Sequence, residues 1–136
     1  MNDKGRIVVV PCSGIGKTYG TVGREAVYSL VEDLRPDDTE VMALSLLVLG
    51  DEETRARMRA APAITVDGCK LACASKMVAE SGGRVAYEAN VLDTFRRHRQ
   101  LRPKGVSRLN PDGEQLAEHL ASELAEAADR IQAEEK

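Results

Sequence analysis

Aromatic residues are scarce in this sequence: its 136 residues include three Tyr, one Phe and no Trp. A core must therefore be aliphatic, built from Val, Leu, Ile and Ala. Hydrophobic residues make up 43% of the chain and charged residues 30%, a composition typical of a globular protein rather than of a disordered or fibrous one. A chain of this length is one domain by the usual size relation, and it can bury enough surface for one core without disulfides.

Long hydrophobic runs are also missing. Nothing approaches the roughly 18 consecutive apolar residues of a transmembrane helix, so we expect no membrane partner. The apolar run at residues 7–10 is too short for the hydrophobic region of a signal peptide. We therefore expect a cytoplasmic, reducing environment. The sequence has only three cysteines, and this odd number favours reactive thiols or metal ligands over structural disulfides.

Neither sign of charge is in large excess, and the net charge is −3. Residues 1–110 contain 17 Lys and Arg against 14 Asp and Glu, whereas residues 111–136 contain 2 against 8. This distribution predicts a mildly basic body with an acidic C-terminal helix, and it disfavours a dedicated nucleic-acid-binding protein. We interpret the basic segment at residues 96–104 as a solvated face.

Strand and helix patterns alternate along the first two-thirds of the chain. Predicted strands lie at residues 6–10, 41–49, 63–66 and 84–87, and predicted helices lie at residues 18–34, 52–61, 71–80 and 91–101. The alternation predicts a three-layer α/β fold, with a mainly parallel sheet of about four strands and helices on both faces. We expect an α/β domain over residues 1–90 and a C-terminal helical extension over residues 91–136, which packs on it to form a single globular unit.

The last predicted helix begins after Asn110, an N-cap residue that is followed by Pro at the first helical position. It carries a narrow apolar stripe of Leu116, Leu120, Leu124, Ala128 and Ile131. We expect this stripe to dock on the body of the protein. Pairing with a protein partner or a second copy of the chain is the alternative.

The cysteines follow predicted strands. Cys12 comes just after the first strand, Cys69 lies just beyond the third, and Cys73 follows four residues later. Because ligands of open α/β sheets bind at the carboxyl ends of the strands, we expect the three thiols to lie at that edge. Helix N-termini favour thiolates, and three convergent thiolates suit zinc or, alternatively, iron or an iron–sulfur cluster. The other interpretation is that the cysteines are buried core residues.

Charged and small residues accompany these cysteines. Positive charge near the thiols would come from Lys17, Arg24 and Lys76. The residues that would let the backbone approach a ligand are Gly14, Gly16 and Gly68.

Two separate segments resemble the DGC-domain family, which is named after its Asp-Gly-Cys motif. The first comprises residues 11–17 and 20–26, and the second comprises Asp67-Gly68-Cys69 and residues 73–76. The resemblance covers approximately residues 6–90. It implies a zinc site with Cys12, Cys69 and Cys73 as ligands, and it implies no particular reaction.

The sequence departs from the family pattern at one cysteine. The family's remaining cysteine would fall in the second predicted strand, where Ala43 takes its place. The fourth metal ligand would then be water, Asp67 or a group from a partner. With only three protein ligands, the site has the open position that is typical of binding, transfer or sensing rather than of structural zinc.

Three other interpretations start from Cys12 and the loop after it. Ser13, Gly14, Gly16, Lys17 and Thr18 would form an anion-binding loop at a helix N-terminus. The same segment looks like the phosphocysteine loop of the IIB components of sugar phosphotransferase systems, which predicts a cysteine phosphocarrier with Cys12 as the nucleophile. A thiol or persulfide carrier is a further alternative. A nucleotide-hydrolysing phosphate loop is disfavoured, because Pro11 stands where such a loop has its first Gly.

Overall fold

The computed structural model describes residues 6–12, 17–68 and 73–135. Within these ranges the chain forms a four-stranded parallel sheet with helices on both faces, which confirms the predicted α/β class. The strands are β1 (Ile7–Pro11), β2 (Thr39–Val41), β3 (Pro62–Asp67) and β4 (Arg84–Asn90). The helices are α1 (Thr18–Ser29), α2 (Leu44–Leu49), α3 (Glu52–Ala60), α4 (Cys73–Glu80), α5 (Val91–Arg97) and α6 (Pro111–Glu135). None of the described helices has both the length and the apolar composition needed to cross a membrane.

The order of the strands creates a crevice between β1 and β3. The sheet runs β2-β1-β3-β4, and every neighbouring pair is parallel. After β1 the chain continues into α1 on one face of the sheet, and after β3 it continues into α4 on the other face. The connections therefore diverge above the ends of these two strands, which is where open α/β sheets bind ligands.

Two aliphatic cores cover the two faces of the sheet. Alternate residues of β1 point to opposite faces, so that Ile7 and Val9 pack against α1 and α6, whereas Val8 and Val10 pack against α2, α3 and α4. All four of these side chains are fully buried. Because both faces are covered, β1 consists of a continuous apolar run rather than an alternating one.

The apolar stripe of α6 is buried within the chain itself. Leu116, Leu120 and Leu124 are fully buried, and Ala128 and Ile131 are at most 5% exposed. The helix packs against α1, the sheet and α5, so docking on the body accounts for the stripe without a second subunit. The division of the chain at residue 90 stays a prediction.

The prediction of one long strand at residues 41–49 is wrong. The second strand is only Thr39–Val41, and residues 44–49 form the short helix α2. Gly50 ends this helix with a left-handed backbone (φ 79°), and Asp51 then caps α3 by accepting a hydrogen bond from the Thr54 N–H. The periodicity of a short apolar run does not distinguish a strand from a buried helix. Here the distinction depends on the turn residues that follow the run.

The predicted helix at residues 18–34 changes its geometry before its end. The α-helical part, α1, stops at Ser29, and Leu30–Leu34 form a π-helical turn. The wider turn is closed by a hydrogen bond from the Arg35 N–H to the Leu30 carbonyl, 2.8 Å long. The Arg35 guanidinium then binds both carboxylate oxygens of Asp129 at 2.8 Å, which ties this turn to α6.

Candidate functional site

At the crevice between β1 and β3, the Cys12 thiol contacts Gly68, the middle residue of the Asp-Gly-Cys motif. The Cys12 N–H donates to the Val66 carbonyl at 2.8 Å, which extends the β1–β3 ladder to the end of the strands. The Cys12 sulfur accepts a hydrogen bond from the Gly68 N–H at 3.2 Å. Cys12 is buried, with 9% of its surface exposed. The Cys12 thiol therefore contacts the residue that directly precedes Cys69 in the sequence.

Gly68 lies where β3 meets the first turn of α1. A Cβ atom at this position would lie 3.2 Å from the backbone nitrogen of Gly20 and 3.2 Å from the carbonyl carbon of Tyr19. Such a contact is too tight for backbone atoms that cannot rotate away. The small residue at position 68 thus allows the start of α1 to close on the end of β3, beside Cys12.

Asp67 holds the start of α4 from beneath. Its carboxylate is only 2% exposed and accepts a hydrogen bond from the Ala74 N–H at 2.8 Å and one from the Ser75 hydroxyl at 3.3 Å. The Ser75 hydroxyl also shares a hydrogen bond with Thr65, with the two oxygens 2.6 Å apart. The Asp of the motif therefore fixes the helix that carries Cys73 to the strand that ends at residue 67. Each of its two oxygens accepts one of these hydrogen bonds, and its role as a metal ligand stays a prediction.

Two cavities lie on either side of Cys12. The first has a volume of about 430 Å³ and is lined by Cys12, Lys17, Thr18, Tyr19, Gly20, Gly68 and Pro103. The second has a volume of about 460 Å³ and is lined by Pro11, Cys12, Arg24, Tyr28, Val41, Ala43, Leu44 and Ser45. Either cavity is large enough for a small ligand.

The charge around Cys12 is positive. Lys17 is exposed at the N-cap position of α1, and the first turn of this helix contains no acidic residue. Arg24 lines the second cavity and donates a hydrogen bond to the Thr21 hydroxyl at 3.2 Å. These cations and the N-terminus of α1 favour a negative group at the site, either a thiolate or a bound anion.

The other predicted site residues lie on α4 or outside the residues that the structure describes. Cys73 is exposed at the first residue of α4, and Lys76 is exposed one turn later. Neither of them is among the described residues that line the two cavities. Ser13, Gly14, Gly16 and Cys69 lie outside the described residues. Within residues 6–12, 17–68 and 73–135, no three His, Cys, Asp or Glu side chains cluster closely enough to hold a metal ion, so the ligand set stays a prediction.

A protein-family model described as the DGC domain matches residues 8–112. The chain belongs to the DGC-domain family. Comparison with curated proteins and with solved structures gave no significant match. The DGC match spans all four strands and both motifs that carry the resemblance, and it ends in the first turn of α6. It therefore extends beyond the resemblance over residues 6–90 and also includes α5 and the loop after α5.

The position at which the resemblance predicts a fourth cysteine lines the same cavity as Cys12. Ala43 follows β2 by one residue, outside the strand, and lines the second cavity together with Cys12. The resemblance described above predicts a cysteine at this position, where the chain has a methyl group. The described residues thus fit a thiolate site built around Cys12, and they supply no thiol at position 43.

Several residues of the cavity walls were not among the predicted site residues, and three of them are instructive. Tyr28 lies one helical turn after Arg24, so i,i+4 spacing on α1 would have placed the two on one face. Tyr19 follows directly on the predicted anion-binding loop. Pro103 comes from the loop before α6 and reaches the cavity through the tertiary fold, which no local pattern reveals.

Proposed function

We propose that this DGC domain binds zinc through the thiolates of Cys12, Cys69 and Cys73, in a binding, transfer or sensing role. The observation that carries the proposal is the hydrogen bond of 3.2 Å from the Gly68 N–H to the Cys12 sulfur. It joins the two cysteine-bearing segments of the sequence at one point of the sheet edge.

The contact supports the proposal for two reasons. Consecutive Cα atoms are about 3.8 Å apart, so Cys69 is tied to a residue whose own N–H already touches Cys12. In addition, a backbone N–H gains more from a negatively charged sulfur than from a neutral thiol, because the hydrogen bond is then charge-assisted. The thiolate is the form that binds metals.

The third ligand depends on α4. Asp67 anchors the first turn of this helix, and Cys73 is its first residue. The same side chain that ends β3 thus orients the helix that would supply a ligand. This gives the Asp of the motif a positioning role, in the way that hydrogen bonds behind a metal site orient its ligands.

Elemental analysis tests the proposal directly. The protein is purified anaerobically, without a chelator or a metal-binding tag, and its zinc and iron contents are measured together with the number of titratable thiols. We expect close to one zinc per chain and protected thiols, and we expect Cys12→Ser, Cys69→Ser and Cys73→Ser each to lose the metal. Arg59→Gln is the control, because Arg59 is exposed on α3 and lines neither cavity beside Cys12. Metal-free protein that also fails to take up added zinc or iron contradicts the proposal. One iron per chain, or an iron–sulfur cluster, would keep the ligands but change the metal.

The first cavity favours one other function, a cysteine phosphocarrier. It places Lys17 and the N-terminus of α1 beside the Cys12 thiol. In such a protein the Cys12 thiolate would attack the phosphorus of a partner's phosphohistidine, so that an S–P bond forms as the N–P bond breaks. Phosphoryl uptake would then depend on Cys12 and Lys17 and tolerate Cys69→Ser and Cys73→Ser. A thiol carrier would instead show a disulfide in the oxidised protein.

A further inference from the structure

A third cavity lies next to the Cys12 site and is built by the end of α5 and the loop that follows it. It has a volume of about 440 Å³ and is lined by Tyr19, Leu92, Phe95, Arg96, Arg99 and Arg102. Tyr19 also lines the first cavity beside Cys12, and Arg102 directly precedes Pro103, another wall residue of that cavity. The two cavities are therefore neighbours that share a tyrosine wall.

The side chains that line this cavity are strongly positive, although the net charge of the whole chain is −3. Its described lining contains three arginines and no carboxylate. Arg96 pairs with Asp93 at 2.8 Å on an exposed surface, which screens its charge only in part. The Arg99 side chain makes no hydrogen bond or ion pair with any part of the chain that the structure describes, and only its backbone carbonyl accepts a hydrogen bond. The cavity thus keeps positive charge for an external anion.

Arg102 is held in place without being neutralised. Its guanidinium donates to the backbone carbonyls of Arg99, at 2.5 Å, and of Leu101, at 3.1 Å. The Asp112 carboxylate accepts the backbone N–H of Arg102, at 2.8 Å. Carbonyl acceptors orient a guanidinium but leave its full charge. Among the residues that the structure describes, Arg99 and Arg102 therefore line the cavity without a side-chain counter-ion.

An aromatic wall completes the cavity. The rings of Tyr19 and Phe95 lie with their centroids 5.8 Å apart and their planes at 43°, and Leu92 adds an aliphatic surface beside them. These are the chain's only Phe and one of its three Tyr, so two of its four aromatic residues lie at this one cavity. A flat ring can stack on such a wall while charged groups of the same molecule reach the arginines.

We propose that this cavity binds a nucleoside diphosphate. Guanidinium groups bind phosphate oxygens in a bidentate manner, and the aromatic wall accepts the base. A volume of about 440 Å³ suits a small molecule, whereas the acidic α6 and the negative net charge disfavour a polyanion that would extend over the surface. The site is separate from the proposed zinc ligands, and its ligand would lie next to the cavity that contains Cys12.

Calorimetric titration of the full-length protein at low ionic strength tests the proposal, with ADP, inorganic pyrophosphate and adenosine as probes. We expect ADP to bind, pyrophosphate to bind more weakly, and adenosine more weakly still. Arg99→Gln should lower the affinity for ADP and for pyrophosphate about tenfold, the effect of losing one charge-assisted hydrogen bond. Arg99 is exposed and has no described partner, so its replacement does not threaten the fold.

A second variant separates the ring from the phosphates. Phe95→Leu keeps a hydrophobic side chain and should lower the affinity for ADP about tenfold while leaving pyrophosphate binding unchanged. Arg59→Gln is the matched control, because Arg59 is exposed on α3 at the opposite face of the sheet and its loss changes the net charge by the same amount.

Three results would overturn the proposal. The first is that ADP does not bind at millimolar concentration. The second is that Arg99→Gln binds ADP with the same affinity as the wild type. The third is that a single-stranded oligonucleotide binds at least tenfold more tightly than ADP and that its binding depends on Arg99. Zinc content is measured on the same samples. We expect Arg99→Gln to retain the metal, so failure of the nucleotide site is distinguishable from failure of the zinc site.

Discussion

Removing the Asp67 carboxylate should loosen α4 and destabilise the protein. Asp67 is 2% exposed, and its oxygens accept hydrogen bonds from the Ala74 N–H and the Ser75 hydroxyl. In Asp67→Ala the Ala74 N–H loses its acceptor at a position that water does not reach, since Ala74 is itself fully buried. Asp67→Asn keeps a carbonyl oxygen that can accept from Ala74, and its amide can donate to Ser75.

The size of the loss follows from these contacts. A buried donor without a partner costs about 1–3 kcal/mol, and the longer bond from Ser75 adds about 1 kcal/mol. We therefore expect Asp67→Ala to lower the free energy of unfolding by about 2–4 kcal/mol. For a domain of this size that corresponds to a fall in Tm of roughly 6–20 °C. Asp67→Asn should cost about 1 kcal/mol, because only the charge assistance is lost.

Thermal and urea denaturation followed by circular dichroism would measure these differences. A chelator is present throughout, so that loss of a bound metal adds nothing to the result. Asp37→Ala is the matched control, since Asp37 is exposed and makes no side-chain hydrogen bond within the described residues. If Asp67→Ala unfolds within 2 °C (about 0.5 kcal/mol) of the control, the hydrogen bonds do not hold α4 as argued. If Asp67→Asn is as unstable as Asp67→Ala, charge rather than hydrogen-bond geometry is decisive.

Three further predictions concern the site, the core and acid stability. Ala43→Cys places a fourth thiol in the cavity that Cys12 lines, so we expect the zinc affinity to rise at least about tenfold. Competition with a chelator measures this affinity, and an unchanged value would contradict the position inferred for the missing ligand. Leu120 is fully buried on α6, so Leu120→Ala should cost about 2–5 kcal/mol of unfolding free energy in urea, whereas an exposed stripe would cost almost nothing. Hydrogen bonds from the Thr54 side chain and backbone lower the pKa of Asp51 below its usual value. The stability that this carboxylate contributes is present above the pKa of Asp51 in the unfolded chain and is lost as the pH falls below about 4. The free energy of unfolding should therefore change less between pH 6 and pH 3 in Asp51→Asn than in the wild type.

The strand–helix alternation was enough to predict the sheet, because both faces are covered and β1 and β3 are continuous apolar runs. It failed at residues 41–49, where the apolar residues are shared between a three-residue strand and α2. The deciding information was local: the left-handed Gly50 and the capping Asp51 mark the end of one helix and the start of the next. The pattern of hydrophobic residues alone does not show where one helix ends and the next begins.

The site was predictable as far as it depends on strand ends. The position of Cys12 beside the Asp-Gly-Cys motif follows from the rule that parallel strands end at one edge. The role of Asp67 was not predictable, because it depends on which backbone N–H groups the next helix presents. The sequence did not reveal the third cavity, which contains Arg96, Arg99 and Arg102, for another reason. Residues 96–104 look like a solvated basic face in sequence, and only the packing of Phe95 against Tyr19 turns part of that face into a wall.

The missing fourth cysteine has a chemical consequence for the proposed zinc site. Zn²⁺ with three thiolates carries one net negative charge and one vacant position in its usual tetrahedral geometry. Ala43 supplies no ligand at that position. The cavity that contains Ala43 also contains Arg24, a cation that favours an anionic centre. An incoming thiolate or other soft donor would therefore reach the metal from this side. A fourth thiolate in place of Ala43 would close that route, which is why we propose a binding, transfer or sensing role rather than structural zinc binding.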